Sequence, residues 1–202
     1  MTFDHVWTGL RSIAVRGVLA LALGGLGATA ATAHPDYWVS VKYHLSFSEA
    51  EVTQFTLDWT FDVFASSRII DRYDLDQDGA FSDQEAHDMQ DALFAAFDTE
   101  GYFVKVFSGD TAQSMKLGTM TPRVEGDQLA ITFTLVPESP LRYREAPLSF
   151  ATHDEAAYHF SLAESDFLGV DGAFDASCRF RVQAGKGPLE GIPQTIMLLC
   201  PE

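Results

Sequence analysis

Twelve residues constrain this chain more than any other stretch: Asp74-Leu75-Asp76-Gln77-Asp78-Gly79-Ala80-Phe81-Ser82-Asp83-Gln84-Glu85. Carboxylates stand at positions 1, 3 and 5 (Asp74, Asp76, Asp78), and Gly79 at position 6 permits a sharp turn. Ala80 offers its backbone carbonyl at position 7, Ser82 a hydroxyl at position 9, and Glu85 a bidentate carboxylate at position 12. This is the spacing of an EF-hand loop, in which one curled segment surrounds Ca²⁺ with roughly 6–8 oxygens. Such a loop needs a helix on either side, and the flanks provide both. Phe61, Phe64/Ala65, Ile69 and Tyr73 fall on one helical stripe, which predicts a helix over Asp62–Tyr73. Ser82 and Glu85 form the S-x-x-E capping box of the exiting helix, whose apolar stripe is Met89, Leu93, Ala96 and Phe97. Only one such loop is visible, whereas sensor EF-hands come in pairs, so the pattern reads as a structural calcium site.

Around this segment the period is two. Tyr37, Val39, Val41, Tyr43, Leu45 and Phe47 alternate with polar residues, as Phe55, Leu57, Trp59 and Phe61 do, predicting a hairpin turning at 48–51. After Gly101, strands are predicted over 102–107, 113–119, 128–136, 147–152, 157–162, 178–183 and 195–199. The expectation is a mainly β, antiparallel, sandwich-like domain with an EF-hand helix–loop–helix inserted at about 62–98. A tight turn at 154–157 is expected to join two paired strands and bring His153 and His159 together.

The N-terminus has a different character. Arg11 and Arg16 precede an apolar run from Val18 to Leu26, and Ala31-Thr32-Ala33 is a small-residue cleavage signal. Residues 1–33 therefore read as a secretory signal peptide, leaving one domain over 34–202 that is periplasmic or secreted. No later segment is long and apolar enough for a span of ~20 residues. The net charge is −16, and cleavage would leave 11 basic and 28 acidic residues. That excess argues against nucleic-acid binding, which demands basic patches. The two cysteines, Cys178 and Cys200, read as a disulfide in an oxidising compartment.

A second metal site is suggested by the histidines. Cleavage before His34 would give it a free α-amino group beside its imidazole, with Asp36 two residues along. His153, Asp154 and His159 are further candidate ligands for Zn²⁺, Ni²⁺, Co²⁺ or Cu²⁺. His44 lies on the polar face of the first strand, and His87 on the exiting helix has Asp91 four residues on. An N-terminal histidine with a second imidazole also suits copper oxygenase chemistry. No nucleophile elbow, P-loop or dinucleotide fingerprint occurs, and the chain reads as a binding protein, not an enzyme.

In order and spacing the chain resembles the exported domain-of-unknown-function family 1007, described as the periplasmic component of an uncharacterised ABC-type transport system. The residues that carry the resemblance are Ala33-His34-Pro35, Trp59-Thr60-Phe61-Asp62, the Asp74–Glu85 loop, Gly101-Tyr102-Phe103 and His153-Asp154…Tyr158. The resemblance implies an accessory role in nickel, cobalt or zinc transport, with a membrane metal transporter as partner. Mature members commonly begin His-Pro-His; here Asp36 takes the third place, and His153 is the candidate replacement imidazole. The alternative expectation is a calcium-stabilised extracytoplasmic interaction module without a transition-metal site.

Overall fold

The structure, a computed structural model, describes residues 36–201. The expected leader and His34 lie outside the described residues. β1 (Tyr37–Ser48) and β2 (Glu51–Phe61) form the expected antiparallel hairpin, with Val41 opposite Trp59 and Tyr43 opposite Leu57. The alternating apolar residues of both strands are buried on one face, as their period of two requires.

These two strands centre a seven-stranded sheet in the order β10-β1-β2-β6-β5, with β9 beside the start of β1 and β7 beside the start of β2. The other members are β5 (Met115–Glu125), β6 (Gln128–Pro137), β7 (Leu141–Arg142), β9 (Tyr158–Leu162) and β10 (Leu168–Gly172). A five-stranded sheet runs β11-β12-β8-β3-β4. It contains β3 (Val104–Ser108), β4 (Thr111–Ala112), β8 (Leu148–Thr152), β11 (Arg179–Gln183) and β12 (Thr195–Leu199). The inner faces meet where Phe150 of β8 packs edge-on against Tyr43 and Phe55, with ring centroids 5.1 and 5.3 Å apart. The chain is thus mainly β, built on two facing sheets.

Three features of the sheets differ from the sequence expectation. β9 and β10 both pair parallel to β1, so the larger sheet is mixed rather than antiparallel. In addition, β8 and β9 do not pair: the turn between them carries the chain from one sheet to the other, so His153 and His159 do not face each other across a hairpin. β10 was not expected, because Leu168-Gly169-Val170-Asp171-Gly172 scarcely alternates. The His44 imidazole packs directly over Gly169, and at Gly172, with φ 71°, a side chain would collide with the Phe47 carbonyl.

The helical segment follows β2. α1 (Val63–Tyr73) is capped by Asp62, which accepts from Phe64 N and Ala65 N at 2.8 and 3.0 Å. The same carboxylate accepts from Trp38 N at 2.9 Å and so ties the helix start to β1. Burial works to raise the Asp62 carboxyl, but these backbone N–H groups outweigh it and hold it below its usual range. Buried Ser66 stitches α1 to both β2 and β6, donating to Phe61 O and accepting from Leu129 N.

α2 (Asp83–Met89) runs through a π-helical turn at Gln90–Phe94 into α3 (Ala95–Asp98). The extra residue shifts the buried stripe to Met89, Phe94 and Phe97, leaving Ala96 exposed. Gly101, Tyr102 and Phe103 then share left-handed φ values of 59, 56 and 57°. This turn drives both aromatic rings inward, where Tyr102 Oη donates to Asp98 at 2.7 Å, and delays β3 to Val104.

Cys178 and Cys200 form a disulfide across the β11–β12 hairpin, one step beyond the Arg179–Leu199 pair. No helix among the described residues is long and apolar enough to cross a membrane.

Candidate metal centre

The Asp74–Glu85 loop hangs between α1 and α2. Asp74 ends α1, its N–H bonding to Ile70 O at 2.8 Å, and Ser82 caps α2. Asp74, Asp76 and Asp78 each offer a carboxylate oxygen, and these atoms lie within 4.8 Å of one another. Among the described residues they are the one group of three or more His, Cys, Asp or Glu side chains so arranged. The loop curls around them through its own amides: Gly79 N donates to Asp74 at 3.0 Å and Ala80 N to Asp78 at 2.9 Å. Gln77 and Gly79 take positive φ values of 58 and 82°, as a turn this sharp requires.

Glu85 closes the loop. Its Oε1 accepts from Leu75 N at 2.6 Å, and its Oε2 accepts from Ser82 N and Oγ at 2.9 and 2.8 Å. The capping box is therefore formed as expected, and the position-12 carboxylate is turned back over position 2. Asp74 is 5% exposed and Glu85 7% exposed. They are the buried charged residues of the described chain, and no Lys, Arg or His forms an ion pair with either among those residues.

Electrostatics reflect this crowding. At Asp76 the Asp78 N–H works to lower the carboxyl, yet lost hydration and the charges of Asp78 and Glu85 outweigh it and raise it. Glu85 is held low by the Ser82 N–H and hydroxyl, then by Leu75 N–H. The loop thus concentrates anionic oxygens with dipoles but no full positive charge. Each carboxylate offers about four lone-pair sites, so the amide contacts leave acceptor capacity for a cation.

The other predicted ligands are arranged differently. Asp36 Oδ1 lies 3.5 Å from His159 Nε2, so parallel pairing of β9 with β1 does bring these two together. Asp154 is a turn cap, accepting from Ala157 N at 2.8 Å and Tyr158 N at 2.9 Å. Burial works to raise its carboxyl, and those amides outweigh burial and hold it low. His153 and His159 line a common groove but join no three-ligand group among the described residues. Sequence reasoning missed Trp38, whose indole stacks on His159 at 4.5 Å, and Asp171, which lies 2.9 Å from His44 Nε2. Both contacts join residues more than 120 positions apart, so no local spacing announces them.

The fold and this loop define a disulfide-bonded, two-sheet β protein whose helical segment presents clustered carboxylates. The family model described as "Protein of unknown function (DUF1007)" matches residues 19–189, and the chain belongs to that family. No curated protein matches it.

Proposed function

We propose that this chain is an exported calcium-binding protein that holds one Ca²⁺ in the Asp74–Glu85 loop of a single inserted EF-hand, and that it serves transition-metal transport as an accessory. The observation that carries the calcium reading is the burial of Asp74 and Glu85 without a cationic partner. Buried charge is costly unless it is paired or coordinates a metal. Asp74, Asp76, Asp78 and Glu85 supply carboxylates, Ala80 its carbonyl, and Ser82 its hydroxyl directly or through water. That all-oxygen donor set suits a hard, flexibly coordinated cation. Bound Ca²⁺ would neutralise the repulsion felt at Asp76 and fix the end of α1 against the start of α2. The expected affinity is on the order of 10⁻⁴–10⁻³ M, the range of extracellular modules.

Calorimetric titration tests this reading. Wild-type protein is expected to bind one Ca²⁺, and Glu85→Gln to bind about a hundredfold more weakly or not measurably. Equal calcium affinity in both proteins would sink it.

The transport role rests on the family resemblance and on the Asp36–His159 pair. These two, with His34 and with His153 and Asp154 alongside, would hold Zn²⁺, Ni²⁺, Co²⁺ or Cu²⁺ for delivery to or from a membrane transporter. With calcium saturating the loop, stoichiometric zinc binding is expected, weakened at least about tenfold in His159→Ala. Zinc binding indifferent to that change would leave the alternative role, a calcium-stabilised interaction module.

A further inference from the structure

β9 has one open edge, and its hydrogen-bond parity shows which groups face outward. Tyr37 N donates to Ala157 O at 2.9 Å, and Ala163 N donates to Val41 O at 3.0 Å. In a parallel ladder this gives residues 157, 159, 161 and 163 to β1, so the amides of Tyr158, Phe160 and Leu162 point away from it. Side chains satisfy the outer two: Tyr158 N donates to Asp154 at 2.9 Å and Leu162 N to Gln194 at 2.8 Å. Between these caps, the N–H and C=O of Phe160 have no backbone or side-chain partner among the described residues.

This gap opens on a groove of about 270 Å³ between β9, the end of β8 and residues 192–194. Its floor is mixed, with Val41, Leu162 and Ile192 beside Thr152 and Gln194. The charged or titratable groups facing it are His153, Asp154, Tyr158 and His159, with Asp36 against His159, and no Lys or Arg lines it. The whole chain carries 29 acidic against 13 basic residues. A strand laid along β9 would place the side chain opposite Phe160 over the groove. Its two neighbours would stand on the outer face beside exposed His159 and Ser161.

We propose that β9 captures an extended segment of another protein, added antiparallel to its open edge, with an apolar residue opposite Phe160 and a basic residue on either side. One residue of that segment exchanges both main-chain hydrogen bonds with Phe160, as in a hydrogen-bonded antiparallel pair. The apolar side chain fills the groove, and the basic ones meet Asp36 and the acidic field of the chain. Asp154 and Gln194 occupy the outward amides on either side, leaving Phe160 the outward residue of β9 with its N–H free among the described residues, which limits indiscriminate strand pairing. The proposal shares Asp36 and His159 with the transition-metal reading but does not rest on it, and chelator in the test separates the two.

The test uses the intact mature protein in chelator and the peptide acetyl-Ser-Lys-Val-Lys-Ser-amide, followed by NMR. The peptide is expected to shift the Phe160 amide and slow its hydrogen exchange. N-methylation of its valine should weaken binding about tenfold or more by removing the paired N–H. Exchanging both lysines for glutamate, or Asp36→Lys in the exposed N-terminal segment of the protein, should also weaken it severalfold. Absence of binding at millimolar peptide would overturn the proposal. So would equal binding of the N-methylated peptide, or shifts confined to residues other than 152–162 and 192–194. Self-association of the protein through β9 without peptide binding would assign this edge to a second copy instead.

Discussion

Reduction of the Cys178–Cys200 disulfide, or replacement of both cysteines by serine, lowers folding stability by about 3 kcal/mol. The cross-link closes a loop with a sequence separation of 22, and the chain-entropy model assigns a loop of that length this effect. The structural setting favours the full value. β11 and β12 are already paired from Arg179–Leu199 to Gln183–Thr195, so the bridge joins residues that the hairpin places together. β11 is the edge of its sheet and pairs only with β12 among the described residues, so no second strand holds its start. For a domain of this size the loss corresponds to a fall in melting temperature of roughly 6–12 °C. Urea unfolding with and without reductant measures it. A midpoint unchanged by reduction would show that the hairpin needs no tether.

Added calcium is expected to produce the second large effect. At about one hundred times its dissociation constant, a ligand bound only by the folded state adds roughly 2.7 kcal/mol. Here that is a rise in melting temperature of roughly 5–10 °C. The increment should vanish in Glu85→Gln, whose fold still retains the Asp62 cap and the Ser66 contacts at the other end of α1. Magnesium at the same concentration should do much less, because it demands a tighter octahedral shell. A melting curve indifferent to calcium would mean that the loop plays no part in stability.

The readable parts of this protein are those in which neighbours in sequence are also neighbours in space. β1 and β2 announce themselves because each buries one complete face, and Asp62 and Ser82 mark helix starts through contacts reaching three residues. The acidic loop is contiguous, so its spacing could be compared directly with ligand geometry. The π turn at Gln90–Phe94 was hidden because its i to i+5 step is imposed by where the core needs Phe94 and Phe97. β10 was hidden because its glycines serve the approach of His44 and of the Phe47 backbone, not a pattern of their own. The parallel placement of β9 depends on β1, over 100 residues upstream, and it alone brings Asp36 to His159 and leaves the Phe160 amide facing a groove. Asp154 is a candidate ligand in sequence, and its turn-capping bonds become visible only from the amides folded onto it.

The calcium reading of the Asp74–Glu85 loop is tested most directly by a crystal of residues 34–202 grown with saturating calcium, using anomalous scattering to locate the ion. One ion is expected inside the loop, about 2.3–2.6 Å from oxygens of Asp74, Asp76, Asp78, the Ala80 carbonyl and both oxygens of Glu85. Ser82 should contact it directly or through one water. A loop that remains empty under those conditions, with Glu85 still bonded to Leu75 and Ser82, would contradict the calcium reading.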